Sequence, residues 1–545
     1  MILKRLFGRK KNRDDWDYAD DVLGGESQPS SGIATADSQD HDLLNGIKAR
    51  VKAYADYNAR KISTIISKLG DLDKEIFTVL PALVHLNLPG LPGFISNREL
   101  APDGIMFFKI SNELPNLIKS LFPKAKIPTR NFVRPKGKSP IYSLAAMGSL
   151  GTIAQTAKSD LDIWVCVKKP EFTKEQLDAL AHKLQEIEKW AEKKNHFECH
   201  FFITDIDEAR ENHFGESDSE SAGSALGKLL KEEFYRTHTV LAGLPPLWTV
   251  MPPHISDEEY ERLSRMAPER YAYDPAKYID LGNAQRVSME EAFGAALWQL
   301  NKALRSPFKS AIKMALIENY MDPHSEPTLL CDNLKENLTN LTTQFYKDKF
   351  KTDALGPGKF VDDHPNHFEL DGYLLMFNRI LEYYRRKGRE DLQEILRQCF
   401  YLKAGDTITG IYDPMRQKNL KKDMLGELIE GWGWNNDHIL DLNAFKEWPF
   451  ERSVELGRQI NNFIVDSYKR LSQSGTTSNV KINENDLTVL GRKLFTFYSR
   501  KDKKVEYLPK SFEESLHQDQ ITFSMIPTRR GGEGIWRVHR GSVAA

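Results

Sequence analysis

The chain has only four cysteines in 545 residues, Cys166, Cys199, Cys331 and Cys399. They form no Cys-x-x-Cys pair and no disulfide framework, so reduced and mostly buried thiols are expected. Long hydrophobic runs are also missing: none approaches the ~18 residues that a membrane span needs. The opening "MILKRLFGRKKNRDD" has too short an apolar stretch for a signal peptide. A cytoplasmic protein without stable membrane insertion is therefore expected. Charge of one sign is lacking too. Charged residues make up 28% of the chain, yet the formal net charge is only -1. That excludes the global basic field of a nucleic-acid coat, and no nucleic-acid partner is expected. Nucleotide binding, if any, must come from a local patch.

The order of what is present is informative. Residues 1–40 are basic and then acidic and Ser/Gly-rich, a composition that cannot bury enough apolar surface to fold alone, and a disordered arm is expected. Residues 41–85 repeat apolar side chains at helical spacing, until "NLPGLPGF" breaks the pattern. Strand and helix then alternate. "IYSLAAMGS" and "DLDIWVCV" read as strands, and "TKEQLDALAHKLQEIEKWAEKKN" as an amphipathic helix with Leu177, Leu180, Ala181, Leu184, Ile187 and Ala191 on one stripe. "FECHFFITD" reads as a third strand, "KLLKEEFYRTHTVLAG" as a helix and "LWTVMP" as a short strand. Helical patterns dominate from "MEEAFGAALWQLNKAL" onward. A linker over 472–486, a helix "DLTVLGRKLFTFYSRK" and strand-like pieces close the chain.

The segment "MGSLGTIAQTAKSDLDIWVCV" carries the chemistry. Side chains alternate along a strand, so Asp160, Asp162 and Trp164 share one face, read as open, while Leu161, Ile163, Val165 and Val167 enter a core. Two like charges so close raise one pKa unless a cation sits between them, and oxygen-only ligands favour Mg²⁺ or Mn²⁺. On its own, Asp-x-Asp is also what a pair of solvated strand-end acids looks like. Gly148-Ser149 changes the weighing. Glycine allows close backbone approach, a following helix offers free N–H groups to an anion, and the serine hydroxyl adds a donor. Phosphate donors beside a metal site suggest a nucleoside triphosphate. Glu198 is the candidate third acid, on one face with His200 and Phe202, and Asp205 is the alternative. His200 reads more simply as a packed strand histidine than as an assisting base. "GSALGKLL" around Lys228 fails as a phosphate-binding P-loop: only three residues separate Gly223 from Gly227, and Leu229 stands where Ser or Thr would hold Mg²⁺. That loop stays a possible lid. The stripe "YLLMFNRILEYY" reads as core.

Gly-Ser followed by Asp-x-Asp on the next strand resembles the nucleotidyltransferase superfamily typified by DNA polymerase beta. "MGSLGTIAQTAKSDLDIWVC" resembles, nearly along its length, the catalytic segment of class I adenylate cyclases of the enterobacterial type. So do "EEFYRTHTVLAG", "LWTVMPP", "SPFKSAIKMALIE", "FYLKAGD" and "GWGWNND". A family signature appears as "EAFGAALWQLNK", Glu291 to Lys302, departing at Ala292 and Asn301, where tyrosines are usual. The resemblance covers residues 41 to about 540. It implies an α+β fold: a small mixed-sheet nucleotidyltransferase core flanked by an N-terminal helical segment and a larger C-terminal helical domain. The expected division is an arm over 1–40, helical segment 41–124, catalytic domain 125–255, helical domain 256–471 closing over the nucleotide, and linker and C-terminal segment 472–545. The family's C-terminal regulatory region, through which a regulatory protein would act, does not follow "GSVAA".

The activity the resemblance implies is conversion of ATP to cyclic AMP and pyrophosphate. Asp160 and Asp162 would bridge two Mg²⁺ (or Mn²⁺) ions and Glu198 would complete the site. Gly148, Ser149, Lys309, Lys313 and Arg236 are the phosphate-binding candidates, the lysines because they are four apart on one helix face, the arginine because guanidinium clamps phosphate bidentately. Two other readings compete: a nucleotidyltransferase with an external acceptor, and a catalytically dead nucleotide-sensing module, against which all three carboxylates argue.

Overall fold

The computed structural model describes residues 38–126, 139–156, 159–214, 227–265, 274–322, 324–325, 328–351, 369–405, 420–475, 520–526 and 535–540. Most of the expected arm, the first half of the possible lid "GSALGKLL" (223–226), the linker beyond Gly475 and the helix expected over 486–501 lie outside these residues, while 227–230 of the possible lid begin a helix. The chain divides into two compact units. The first takes residues 1–295, 316–387 and 475–482; the second takes 296–315, 388–474 and 483–545.

The first unit opens with α1 (Ser38–Lys68), α2 (Asp71–His85) and a short α3 (Leu114–Leu121). A four-stranded mixed sheet follows, from β1 (Ile141–Met147), β2 (Leu161–Val167), β3 (Cys199–Asp205) and β4 (Thr239–Gly243), in the order β3-β2-β1-β4. β1 runs antiparallel to β2 and β4, and β2 runs parallel to β3. Parallel neighbours need a crossover, and α4 (Lys174–Asn195) supplies it. Its start is a capping box in which Thr173 and Gln176 satisfy each other's amides. The fold is thus α+β, mixed helix and strand around a small sheet.

Both sheet faces are covered. Leu161, Ile163, Val165 and Val167 pack with α2, α3 and α4 as expected. The opposite face is not open along its length. Trp164 is 1% exposed and stacks on Phe234 at 4.1 Å between ring centres, and Cys166 is buried beside it. Only the first residues of β2 escape cover, because the aromatic side chains of α6 (Gly227–Thr237) begin to seal the face two residues after Asp162. On α4, Ala181 is exposed, and Lys183 takes a buried place instead. Its ammonium donates to the carbonyls of Val84 and Leu86 at 2.7 and 2.8 Å, satisfying the C-terminal end of α2.

Two local readings change. The segment read as one helix, 228–243, is α6 followed by β4. Thr239–Gly243 is β-branched and apolar, and pairing with β1 decides its state. The expected strand "LWTVMP" is a short 3-10 turn, Leu247–Val250, held where Trp248 stacks on Tyr235 at 4.3 Å. The remaining helices of this unit are α5 (Ile206–Arg210), α7 (Asp257–Ser264), the first half of α8 (Met289–Lys302), the end of α9 (Pro307–Met321), α10 (Leu330–Lys351) and α11 (Gly372–Arg386). The stripe on α11 is core, with Leu374, Phe377, Ile380 and Tyr384 all buried. All four cysteines are free and buried.

The second unit holds the end of α8, the start of α9, α12 (Glu390–Ala404), α13 (Leu420–Trp432), α14 (Asn436–Asn443) and α15 (Phe450–Gly475). Lys421 donates to the Ala404 carbonyl at 2.6 Å, and Tyr401 to Asn443 at 2.6 Å, tying these helices together. The strand-like pieces expected in the tail pair as an antiparallel hairpin, β5 (Ile521–Ile526) and β6 (Ile535–Arg540).

Buried basic groups make the stability of the chain depend on pH. Burial holds His85 down to about 4 and His238 to about 3, with Lys183 and Lys61 respectively pushing the same way. It also lowers Lys61 and Lys231 to about 7 and Lys183 and Lys335 to about 8. Unfolding returns histidine to near 6.5 and lysine to near 10.5. The unfolded chain therefore binds more protons than the folded one, and stability rises with pH. It is lost as pH falls through 6.5 toward 4, and gained above 7 until the buried thiols of Cys166 and Cys199, pushed up to about 12 by burial, oppose it near 9. Urea denaturation followed by circular dichroism should give a lower midpoint at pH 5 than at pH 8.

Candidate active site

Asp160 stands one residue before β2, and Asp162 is the second residue of the strand. In the parallel ladder Leu161 faces Cys199 and Asp162 faces His200. The Leu161 amide donates to the Glu198 carbonyl at 3.1 Å, which continues the ladder and sets Asp160 beside Glu198. Ladder partners lie ~4.8 Å apart and point the same way. Asp160, Asp162, Glu198 and His200 thus share the uncovered corner of the sheet. Asp160 and Asp162 are half-buried, and the Glu198 side chain is 63% exposed.

His200 belongs to this corner rather than to a packed face: its side chain is 43% exposed, with Nε2 3.4 Å from Glu198 Oε1. Burial pulls its pKa down, but the Glu198 hydrogen bond and the charges of Asp162, Glu188 and Glu198 outweigh that and hold it above the ordinary value. Asp205 is at the other end of β3, opposite Val167. It is 4% exposed, accepts from the Lys169 amide at 2.5 Å, and caps α5 through the Glu208 amide at 2.9 Å. Its lone pairs are committed, and it stands a strand's length from Asp160.

The donor chemistry of the corner fits a hard divalent cation, all oxygen from carboxylates that neighbour one another in register. Among the described residues no three His, Cys, Asp or Glu side chains already stand round one point.

Gly148 and Ser149 follow β1 at the same end of the sheet, since Met147 pairs with Asp162. Gly148 has φ 101°, and a Cβ built on it would meet nothing within 4 Å, so the space beside it is open. The helix expected after this pair does not form. Turns run from residue 148 to 154, closed by Thr152 and Gln155 amides donating to Ser149 and Thr152 carbonyls at 3.2 and 3.1 Å. The anion-binding helix N-terminus expected at this turn is therefore replaced by a loop pinned from three sides. The Gly148 amide donates to Thr237 Oγ1 at 3.1 Å, the Ile153 amide to Asp371 Oδ2 at 2.6 Å, and Lys68 Nζ to the Thr152 carbonyl at 2.9 Å. Ser149 Oγ lies 3.1 Å from Ser159 Oγ, which bridges the loop to the start of β2.

Arg236 does not face this corner as a phosphate clamp. It is 3% exposed, its Nε donates to Glu232 Oε1 at 3.0 Å, and its Nη1 donates to the Gly372 carbonyl at 3.2 Å. Lys309 and Lys313 stand one turn apart on the part of α9 that belongs to the second unit, both half-buried. The Lys228 amide donates to Glu291 Oε1 at 2.8 Å, so the start of α6 is capped by a carboxylate rather than offered to phosphate. Sequence reasoning misses Asp371 and Lys61. Asp371 joins the loop to the first turn of α11, where Tyr373 and Leu374 amides both donate to its Oδ1 at 3.0 Å. Buried Lys61 donates to the Thr237 and His238 carbonyls beneath the loop. Asp371 shows locally only as a helix N-cap, and its bond to the Ile153 amide, like those of Lys61, goes to a partner distant in sequence.

Known proteins resemble this chain over most of its length. The family model described as "Adenylate cyclase NT domain" matches residues 46–249, and "Adenylate cyclase, class-I, second domain" matches 287–354 and 357–509. Relatives include adenylate cyclases of Salmonella typhimurium, 28% identical over 508 residues, and of Escherichia coli K12, 27% identical over 501; each alignment covers 91% of this chain and 55% of the relative. The Proteus mirabilis adenylate cyclase is 26% identical, with 91% and 54% covered. The chain thus spans little more than half the length of these relatives. No solved structure matches. Two adjoining domain models of one family, in order and with the carboxylate corner inside the first, place the chain in the class I adenylate cyclase family.

Proposed function

We propose that the chain converts ATP to 3′,5′-cyclic AMP and pyrophosphate on a nucleotidyltransferase-type core. The observation that carries this reading is the β2–β3 register, which brings Asp160, Asp162 and Glu198 to one uncovered corner beside the Gly148-Ser149 turn. In the reaction the 3′-oxygen of ATP forms a bond to its own α-phosphorus, the bond from that phosphorus to the β-phosphate oxygen breaks, and the 3′-hydroxyl proton leaves to solvent. Asp160 and Asp162 would hold two divalent cations, Mg²⁺ or Mn²⁺, with Glu198 completing the set. Cations there would lower the pKa of the 3′-hydroxyl and offset charge on the leaving pyrophosphate. Ser149 offers its hydroxyl to a phosphate oxygen, and the open space at Gly148 admits the triphosphate close to the backbone. His200 orients Glu198 through its hydrogen bond. Arg236, held by Glu232 and the Gly372 carbonyl, is released from the phosphate-binding role.

Purified chain incubated with ATP and Mg²⁺ alone is the direct test. Cyclic AMP and pyrophosphate in equal amounts are expected; product only after an external acceptor is added would make the chain a transferase instead. Exchanging the acids tests the assignment of the third one. Glu198→Gln should lower cyclic AMP formation by about 10²-fold or more at unchanged unfolding midpoint. Asp205→Asn should do the reverse, costing about 1 kcal/mol of stability because an amide NH2 replaces the oxygen that accepts from the Lys169 N–H, while activity per folded molecule is kept.

A further inference from the structure

The turn that follows β1 is held at both ends by groups that are themselves locked together. At its start the Gly148 amide donates to Thr237 Oγ1 at 3.1 Å, and at its end the Ile153 amide donates to Asp371 Oδ2 at 2.6 Å. Thr237 closes α6, and Asp371 is the N-cap of α11. Those two helix ends meet through their backbones. Arg236 Nη1 donates to the Gly372 carbonyl at 3.2 Å, and a Cβ built on Gly372 would meet the Arg236 carbonyl at 2.5 Å. A side chain at 372 would therefore push the helices apart, and glycine fixes the spacing between Thr237 and Asp371. Ser149 lies between the two pinned amides, next to the open space at Gly148. All of these residues belong to the first unit.

Asp371 does two tasks with its two oxygens. Oδ1 accepts from the Tyr373 and Leu374 amides at 3.0 Å each, an ordinary helix cap. Oδ2 accepts from the Ile153 amide, 218 positions away in the sequence. A cap needs only one oxygen, which serine or asparagine would supply equally well. The second oxygen serves the loop. The match to the first family model ends at residue 249, and Asp371 lies in the stretch 357–509 matched by the second. The second matched segment thus reaches back to hold a loop of the first.

We infer that Asp371 is a positioning residue for the nucleotide: by pinning Ile153 it holds the Gly148-Ser149 turn in place to receive the triphosphate. This role rests on ATP being the substrate, as the proposed function has it.

Calorimetric titration of the full chain with a non-hydrolysable ATP analogue and Mg²⁺, beside steady-state rates with ATP, is the test. Asp371→Asn keeps one oxygen for the two cap amides and turns its NH2 toward the Ile153 N–H. Asp371→Ser keeps a capping hydroxyl but has no second oxygen for Ile153. Each should weaken analogue binding by about tenfold and raise KM for ATP alike, with kcat within about threefold of the parent. Ser256→Ala is the control: it removes the N-cap of α7, whose hydroxyl accepts from the Glu259 amide at 3.2 Å. It should lower the unfolding midpoint and leave analogue affinity unchanged. Parent-like affinity in both Asp371 variants overturns the inference. So does a fall in kcat at constant KM, the sign of a purely structural tie. If the parent binds the analogue but makes no cyclic AMP, the proposed activity fails while the binding comparison still decides the role of Asp371. If the parent binds no analogue, the role of Asp371 falls with the nucleotide site.

Discussion

Asp162→Asn is expected to lower cyclic AMP formation by at least about 10³-fold, the upper end of what losing one electrostatic contact with developing charge costs. The substitution is isosteric and sits where β2 is half-buried, so the strand and its ladder to β3 are kept. What is lost is one negative charge of the pair proposed to hold the cations. The effect should fall on kcat and kcat/KM together, because the charge matters most while the 3′-oxygen and the pyrophosphate carry partial charge. Asp160→Asn should behave alike. Circular dichroism and the unfolding midpoint should match the parent in both. Retained turnover in a well-folded Asp162→Asn protein would place the chemistry elsewhere. A dead nucleotide-sensing module, by contrast, would lose no activity that it never had.

The carboxylate corner is legible in the sequence because it depends on local rules. Alternation along "DLDIWVCV" assigns Asp160 and Asp162 to one side, and the β3 register keeps Glu198 there with them. Helices with clear apolar stripes, such as α4 and α11, are equally legible. What stays hidden depends on distant partners. Trp164 reads as lying on an open face because nothing in its own segment announces Phe234, seventy positions on. The turns after Gly148 replace a helix because Thr237, Asp371 and Lys68 hold their backbone groups from other elements. Lys183 lies on the apolar stripe of α4 and is buried because two carbonyls at the end of α2 await it. Charged residue types read as surface until the structure shows the acceptor.

Arg236 is the sharpest case, and its removal carries the second large effect. A guanidinium near the nucleotide core reads as a phosphate clamp, and Arg236→Met would then raise KM for ATP and leave the fold alone. The structure gives it another task. Glu232 is 0% exposed and Arg236 3% exposed, one turn apart on α6. The Glu232 carboxylate also accepts from the Cys331 amide at 3.1 Å, at the start of α10, while Arg236 donates to the Gly372 carbonyl at the start of α11. The pair thus ties three helices together. Adjacent to it, Asp371 holds the loop that follows Gly148-Ser149. Arg236→Met strips the counter-charge from a carboxylate with no solvent, and such a loss costs about 3–5 kcal/mol. In a chain of this size that should lower the thermal midpoint by roughly 3–4 °C. Adding Glu232→Leu to Arg236→Met removes the stranded charge, so the double variant should recover much of the lost stability. The recovery discriminates between the two roles: a phosphate clamp has no reason to be rescued by deleting its neighbour, and a KM change without loss of stability would return Arg236 to the nucleotide.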